Sequence, residues 1–266
     1  MKLVLITLAA VTAFAQTKSL VCDDNNNRND HQARSCEVRE QTIAYGGQLT
    51  VDGGTNGGVS IKGWDNGGVL VRSRVESWAE DDATAKSLAS QIHVNFSAGQ
   101  ISAIGPETTN SRGDHGQNWS VSYEVFVPRN ADLSLKAHNG GISIADVRGN
   151  IRFSTQNGGV SLMNLAGDVE GATTNGGVNV TLTGNRWDGV KLDARTTNGG
   201  VNISMPQSYS AHLETGTING HINANFDVTV SGNLTEKSKK MVFDIGGGGP
   251  TIHVETTNGG VNFKKI

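Results

Sequence analysis

Proline is scarce in this 266-residue chain, at 4 residues, and cysteine occurs only twice. Aromatic side chains make up 5% of the residues and hydrophobic ones 36%. That supply is too lean for a globule with a thick, aromatic-rich core. Low proline and the lack of a Gly-X-Y period exclude collagen, although glycine reaches 35 residues. A formal charge of −3 and a pI of about 6.2 remove the electrostatic ground for a nucleic-acid or anionic-membrane partner. Beyond Phe14 no hydrophobic run is long enough to cross a bilayer.

Chemistry-bearing motifs are missing as well. The seven histidines (His31, His93, His115, His138, His212, His221 and His253) form no H-E-x-x-H or other zinc spacing. Gly246 to Gly249 lead into Pro250 and Thr251 rather than Lys-Ser, so they make no phosphate cradle. There is no G-x-S-x-G nucleophile motif. Asp23-x-Asn25-x-Asn27 starts like a calcium loop, but Arg28 holds the glycine position and Arg34 the place of the bidentate Glu. Asp146 and Asp168, with Glu170 or Asp193 nearby, are the acids that a polysaccharide-cleaving β-helix would stack one coil apart. Turn geometry alone favours Asp at such places. Trp64, Trp119 and Trp187 offer rings for sugar stacking, or for the core. The reading is non-enzymatic, with no cofactor and no metal.

The N-terminus has the form of a secretory signal. Lys2 precedes an almost wholly apolar stretch from Leu3 to Phe14, and Ala13-Phe14-Ala15 gives a cleavage site before Gln16. Residues 1–15 are therefore expected to direct export. Without them no transmembrane segment is expected, leaving a protein of the periplasm, the cell surface or the medium. Cys22 and Cys36, with 13 residues between them, are expected to pair in that oxidising setting. Residues 16–45 read as a polar, irregular segment closed by this disulfide.

What the chain has in abundance is one tetrapeptide. Asn-Gly-Gly followed by Val or Ile starts at Asn56, Asn66, Asn139, Asn157, Asn175, Asn198 and Asn258, with Asn219-Gly220-His221-Ile222 as a degenerate copy. Apolar residues follow at alternate positions (Ile142/Ile144, Val160/Leu162, Val178/Val180, Val201/Ile203). Small polar ones lie between them: Ser143, Ser161, Asn179 and Asn202. Such alternation sends apolar side chains to one face of a strand and polar ones to the other. A second turn closes each unit, at Val147 to Asn150, Leu165 to Asp168 and Leu182 to Asn185.

Two turns in fixed alternation over 46–266 predict an all-β fold, a β-solenoid of short strands. Asn-Gly is also a hairpin signal, so an antiparallel meander competes. The repeat of Thr174, Thr197 and Thr257 before the asparagine favours stacked coils. So does the mechanism available at the corner, an amide ladder with glycines accepting positive φ. One helix is expected at about 79–91, where Ala and Leu alternate with Glu80, Asp81, Asp82 and Lys86. Residues 225–249 are expected to leave the stack at an edge, and Lys264-Lys265 to charge an exposed final strand.

The segment Trp119 to Pro128, then Leu133 to Lys136 and the Asn-Gly-Gly coils, resembles the bacterial putative-adhesin family of β-strand-repeat proteins over roughly residues 46–266. The resemblance implies an exported solenoid of the cell envelope and brings no catalytic residues. The leading expectation is an adhesin-like interaction module, with the outward Ser143, Ser161, Asn179 and Asn202 as a binding ladder for a polysaccharide or an envelope or surface protein. A structural periplasmic scaffold associating through its solenoid ends is the alternative.

Overall fold

The computed structural model describes residues 20–22, 32–97, 99–107, 116–226 and 239–266. The signal segment 1–15 and the Asp23 to Asp30 loop lie outside them. Four strands come first: β1 (Ala33–Ala44), β2 (Gln48–Asp52), β3 (Val59–Trp64) and β4 (Gly68–Ala79). The helix α1 (Asp82–Ser90) follows, within the span expected for it, and Asp81 caps it by accepting from Thr84 N at 2.7 Å. Then come β5 (His93–Ser97), β6 (Gln100–Ile104) and β7 (Asn118–Pro128).

From there each coil is one strand, an Asn-Gly-Gly corner and a second strand. The pairs are β8 (Asp132–Ala137) with β9 (Ile142–Ala145), β10 (Arg148–Asn157) with β11 (Val160–Met163), and β12 (Ala166–Asn175) with β13 (Val178–Thr181). They continue with β14 (Gly189–Asn198) and β15 (Val201–Met205), then β16 (Ala211–Asn219) and β17 (Ile222–Ala224). After β18 (Lys239–Ile245) the last pair is β19 (Thr251–Asn258) with β20 (Val261–Lys265).

First and second strands of the coils stack into two ten-stranded mixed sheets that do not close into a barrel. We call the one running from β1 to β17 sheet A and the one running from β18 to β5 sheet B. Through the middle the pairing is parallel and in register: Val160 lies between Ile142 and Val178, and Ile151 between Leu133 and Val169. A meander is thereby excluded for the repeats. The inward rows Ile142–Val160–Val178–Val201–Val261 and Leu133–Ile151–Val169–Leu192–Ile252 are almost completely buried. They meet as the thin aliphatic core that the alternation implied. Burial of such side chains, at about 1.5–3 kcal/mol each, is the main term holding one sheet on the other.

The ends depart from the expected pattern. Residues 33–44, read as irregular, form β1, which pairs antiparallel with β4 along its whole length. Its side chains are polar on both faces because it is an edge strand with little core to cover. β7 enters between β3 and β4, so the first end of sheet A is partly antiparallel. At the other end the chain order breaks. β19 lies between β14 and β16, and β20 between β15 and β17. The final coil thus fills a slot inside the stack, and Lys264 and Lys265 are not on an edge strand. Of the expected excursion 225–249, residues 239–245 form β18, antiparallel to β16, and 227–238 lie outside the described residues.

Candidate functional site: side-chain ladders and an uncharged face

The Asn-Gly-Gly corners lie on one edge of the stack and make a ladder. Each asparagine donates its side-chain N–H to the carbonyl oxygen of the next. Asn139 donates to Asn56 at 3.0 Å, Asn157 to Asn139 at 2.8 Å and Asn175 to Asn157 at 2.7 Å. Asn198 donates to Asn175 at 2.8 Å, Asn258 to Asn198 and Asn219 to Asn258, both at 2.7 Å. The degenerate copy is therefore the terminal rung. Asn66 does not join: it lies at the reversal from β3 to β4, where its Oδ1 accepts from Gly68 N at 3.0 Å.

None of the corner glycines in the ladder has positive φ, so the expected reason for glycine is wrong there. Close approach is the cause. A Cβ on Gly158 would lie 2.2 Å from Gly140 O, and one on Gly176 2.1 Å from Gly158 O. The second glycine is less constrained, with Gly159 meeting nothing nearer than Gly177 O at 3.6 Å. His221 replaces that second glycine in the degenerate copy, as this difference allows.

The threonines singled out from sequence, Thr174, Thr197 and Thr257, point away from the core. The structural ones are two residues before each asparagine: Thr155, Thr173, Thr196, Thr217 and Thr256 are buried. Each donates its hydroxyl to the carbonyl of the first glycine one coil away, for example Thr155 to Gly140 O and Thr173 to Gly158 O, both at 2.7 Å. Their spacing, Thr-x-Asn-Gly, recurs in five copies and was the available signal.

The second corner falls earlier than expected, at Asp146-Val147 and Asn164-Leu165, because Gly149 and Gly167 already belong to β10 and β12. Asp146 and Asn164 take positive φ there, 60° and 50°, and Asn164 Nδ2 donates to Asp146 Oδ1 at 2.7 Å. A polar cleft of 590 Å³ opens at this corner, its rim carrying Arg129, Arg148 and Asp188. Arg129 binds Asp65 at 2.6 Å and Arg148 binds Asp188, which holds both carboxyls below their ordinary range. Trp187 is buried at its floor and donates to Gly167 O at 3.0 Å. Trp64 and Trp119 are half-buried and donate to Gly68 O and Pro106 O. All three indole N–H groups are thus spent inside the protein.

The central strands of the two broad faces differ in charge. On the outer face of sheet B, Arg152 pairs with Asp168 at 2.9 Å, Lys191 with Glu170 at 3.0 Å, and Arg195 and His253 with Asp193 at 2.7 and 3.1 Å. Burial pushes the Asp193 carboxyl up, but Arg195 and His253 outweigh it and hold the carboxyl below its usual value. Asp146 and Asp168 do not stack: one is at a corner and the other on this face, bound to Arg152.

On the outer face of sheet A, one row reads Ser60, Ser143, Ser161, Asn179, Asn202, Asn262 and Asn223 across seven adjacent strands. Asn202 donates to Asn179 at 3.0 Å, Asn262 to Asn202 at 3.0 Å and Asn223 to Asn262 at 3.1 Å. The serine end of the row lines a shallow groove of 510 Å³, with Gly58, Gly141 and Gly159 beside it and Arg74, paired with Glu76, at its β4 side. Sequence reading named four members of this row and missed Ser60, Asn262 and Asn223, which occupy the same place after their own Asn-Gly-x corners.

Cys22 and Cys36 form a disulfide. Among the described residues no helix is long and apolar enough to cross a membrane, and no cluster of His, Cys, Asp and Glu is arranged to hold a metal ion.

None of the curated proteins compared matches the chain. Among solved structures it is similar to a "putative cell adhesion protein" from Clostridium sporogenes, at 13% identity and a TM-score of 0.47, covering 87% of this chain and 100% of that one. A "putative adhesin" from Bacteroides fragilis aligns at 11% identity and a TM-score of 0.30, covering 86% and 97%. A "putative lipid binding protein" from Parabacteroides distasonis aligns at 9% identity and a TM-score of 0.22, covering 86% and 96%. The family model described as Toastrack DUF4097 matches residues 24–264, nearly the whole chain, and the protein belongs to that family.

Proposed function

We propose that this chain is an exported, non-enzymatic interaction module of the cell envelope, with sheet A's outer face as its binding surface. The observation that carries the proposal is the contrast between the middles of the faces: sheet B carries a series of ion pairs there, while sheet A presents an uncharged row across seven strands, bounded by the Glu124–Arg72 pair on β7 and β4. Within that row each interior asparagine spends one N–H and one carbonyl lone pair on its neighbours. A second N–H and lone pair are left to a ligand. These groups recur at the strand spacing of about 4.8 Å, on a surface nearly without relief.

Such a face suits an extended, neutral, polyhydroxylic chain, a polysaccharide, held by many weak contacts. A protein partner would be expected to meet aromatic, Met or Arg anchors, and of these the outward positions of β9, β11, β13 and β15 carry only Met163. The signal-like N-terminus and the Cys22–Cys36 disulfide support export. Non-enzymatic action is supported by the separation of Asp146 and Asp168, the one hydrogen-bonded to Asn164 at a corner and the other ion-paired with Arg152.

The test is accessibility of a tagged full-length chain on intact cells to added antibody and protease. Labelling and cleavage are expected. Full protection until the outer membrane is opened would overturn surface adhesion and leave the periplasmic scaffold as the better account.

A further inference from the structure

The chain contains eight Asn-Gly pairs, and seven of their asparagines are rungs of the corner ladder. The eighth, Asn66-Gly67, is outside it. We propose that Asn66 is a self-modification site, converting to aspartate and isoaspartate through a succinimide, while the ladder protects the other seven. In this step the Gly67 backbone nitrogen attacks Asn66 Cγ and loses its proton, and the side-chain nitrogen leaves as ammonia. Water then opens the ring at either carbonyl. The net change is one water consumed, one ammonia released and one negative charge gained.

Geometry separates the sites. Asn66 and Gly67 are both exposed, and a Cβ on Gly67 would meet nothing within 4 Å, so the turn has open space around it. Neither Gly67 N nor Asn66 Nδ2 donates to any described residue. Asn66 Oδ1 accepts from Gly68 N at 3.0 Å. This folds the side chain over the backbone and leaves an N–H on the oxygen that turns negative during attack.

In the ladder those requirements fail. The side-chain nitrogens of the six rungs other than Asn56 are held by the neighbouring rung, and Gly176, Gly199 and Gly259 donate their N–H groups to Asn198 O, Asn258 O and Asn219 O at 3.0–3.1 Å. At the first rung Gly57 is buried, with Val121 O and Gly53 O against it. Reaction at Asn175, Asn198 and Asn258 needs two hydrogen bonds broken first, which slows it roughly tenfold or more, and at Asn139, Asn157 and Asn219 the ladder bond of the side-chain nitrogen must break. The product places a second acid beside Asp65, the residue that binds Arg129 at the rim of the polar cleft.

The experiment is incubation of the folded full-length protein at mildly alkaline pH, followed by peptide mapping of all eight sites for isoaspartate and for replacement of the amide by a carboxyl. Asn66 is expected to react faster than every rung, and at least about tenfold faster than Asn175, Asn198 and Asn258. In denaturant all eight should react at similar rates, and Gly67→Ala should slow Asn66 in the folded protein. Equal rates across the eight sites in the folded protein, or an Asn66 that stays intact while rungs convert, would overturn the proposal.

Discussion

Two neighbouring glycines should answer the same substitution in opposite ways. Gly158→Ala places a Cβ 2.2 Å from Gly140 O and 2.5 Å from Gly140 C, backbone atoms of the adjoining coil. Relief requires the coils to separate by about 1 Å, since ordinary contact begins near 3.5 Å. The same carbonyl accepts the buried Thr155 hydroxyl at 2.7 Å, so separation also strains that bond. Overpacking of about 1–3 kcal/mol, together with a weakened buried hydrogen bond of about 1 kcal/mol, gives a loss of about 2–4 kcal/mol. In a chain of this size that is a fall in Tm of roughly 4–16 °C. Gly159→Ala meets nothing closer than 3.6 Å and needs no positive φ. It should be neutral or stabilising by up to about 1 kcal/mol, because alanine narrows the unfolded ensemble. Urea unfolding of both variants, with the slope m checked for constancy, gives the two values. Equal losses at the two sites would refute close coil approach as the reason for the first glycine.

Three further outcomes follow from the same geometry. Thr173→Val keeps the shape but leaves Gly158 O without its 2.7 Å donor, and should cost about 1–3 kcal/mol in denaturant unfolding. Asn175→Asp puts a carboxylate where the ladder needs a donor to Asn157, costing about 1–2 kcal/mol at neutral pH. Protonation restores the donor, so the deficit should shrink as pH falls toward about 4 and return as pH rises, which thermal melts across pH would record. Asp193 has a depressed carboxyl pKa, so its contribution is present above about pH 4 and lost as pH falls through the lower folded value. Asp193→Asn should therefore destabilise at pH 7, by about 1–2 kcal/mol, and flatten the acid limb of the stability curve.

Much of the fold was legible because the coil is short and its devices repeat. Alternation around Ile142/Ile144 and Val178/Val180 assigns the inner and outer faces, and the Ala-rich stretch ending near Gln91 marks the helix. What the sequence could not supply was order in space. Every coil carries the same corner, so nothing local shows that β19–β20 lies between β14–β15 and β16–β17. Identical tetrapeptides also hide different surroundings: Asn66-Gly67-Gly68-Val69 matches the ladder copies but turns the chain back, with β7 filling the place between β3 and β4. The role of the first glycine was misread because positive φ is a property of one residue, whereas the constraint here comes from the neighbouring coil. Ser143, Ser161, Asn179 and Asn202 were found because they alternate with aliphatics. Their continuation to Asn262 and Asn223 was equally readable, and it needed the coil order to be placed on the same row.

The central claim is that sheet A's outer face binds and sheet B's does not, and matched substitutions test it most directly. Ser161 and Ser154 are exposed serines of neighbouring coil strands on the two opposite faces. Binding of purified full-length protein to polysaccharide-rich envelope material should weaken about tenfold for Ser161→Arg, the equivalent of about 1.4 kcal/mol. Ser154→Arg should leave it unchanged, with the Tm of both variants preserved. Equal binding by the two variants, or loss confined to Ser154→Arg, would contradict the account.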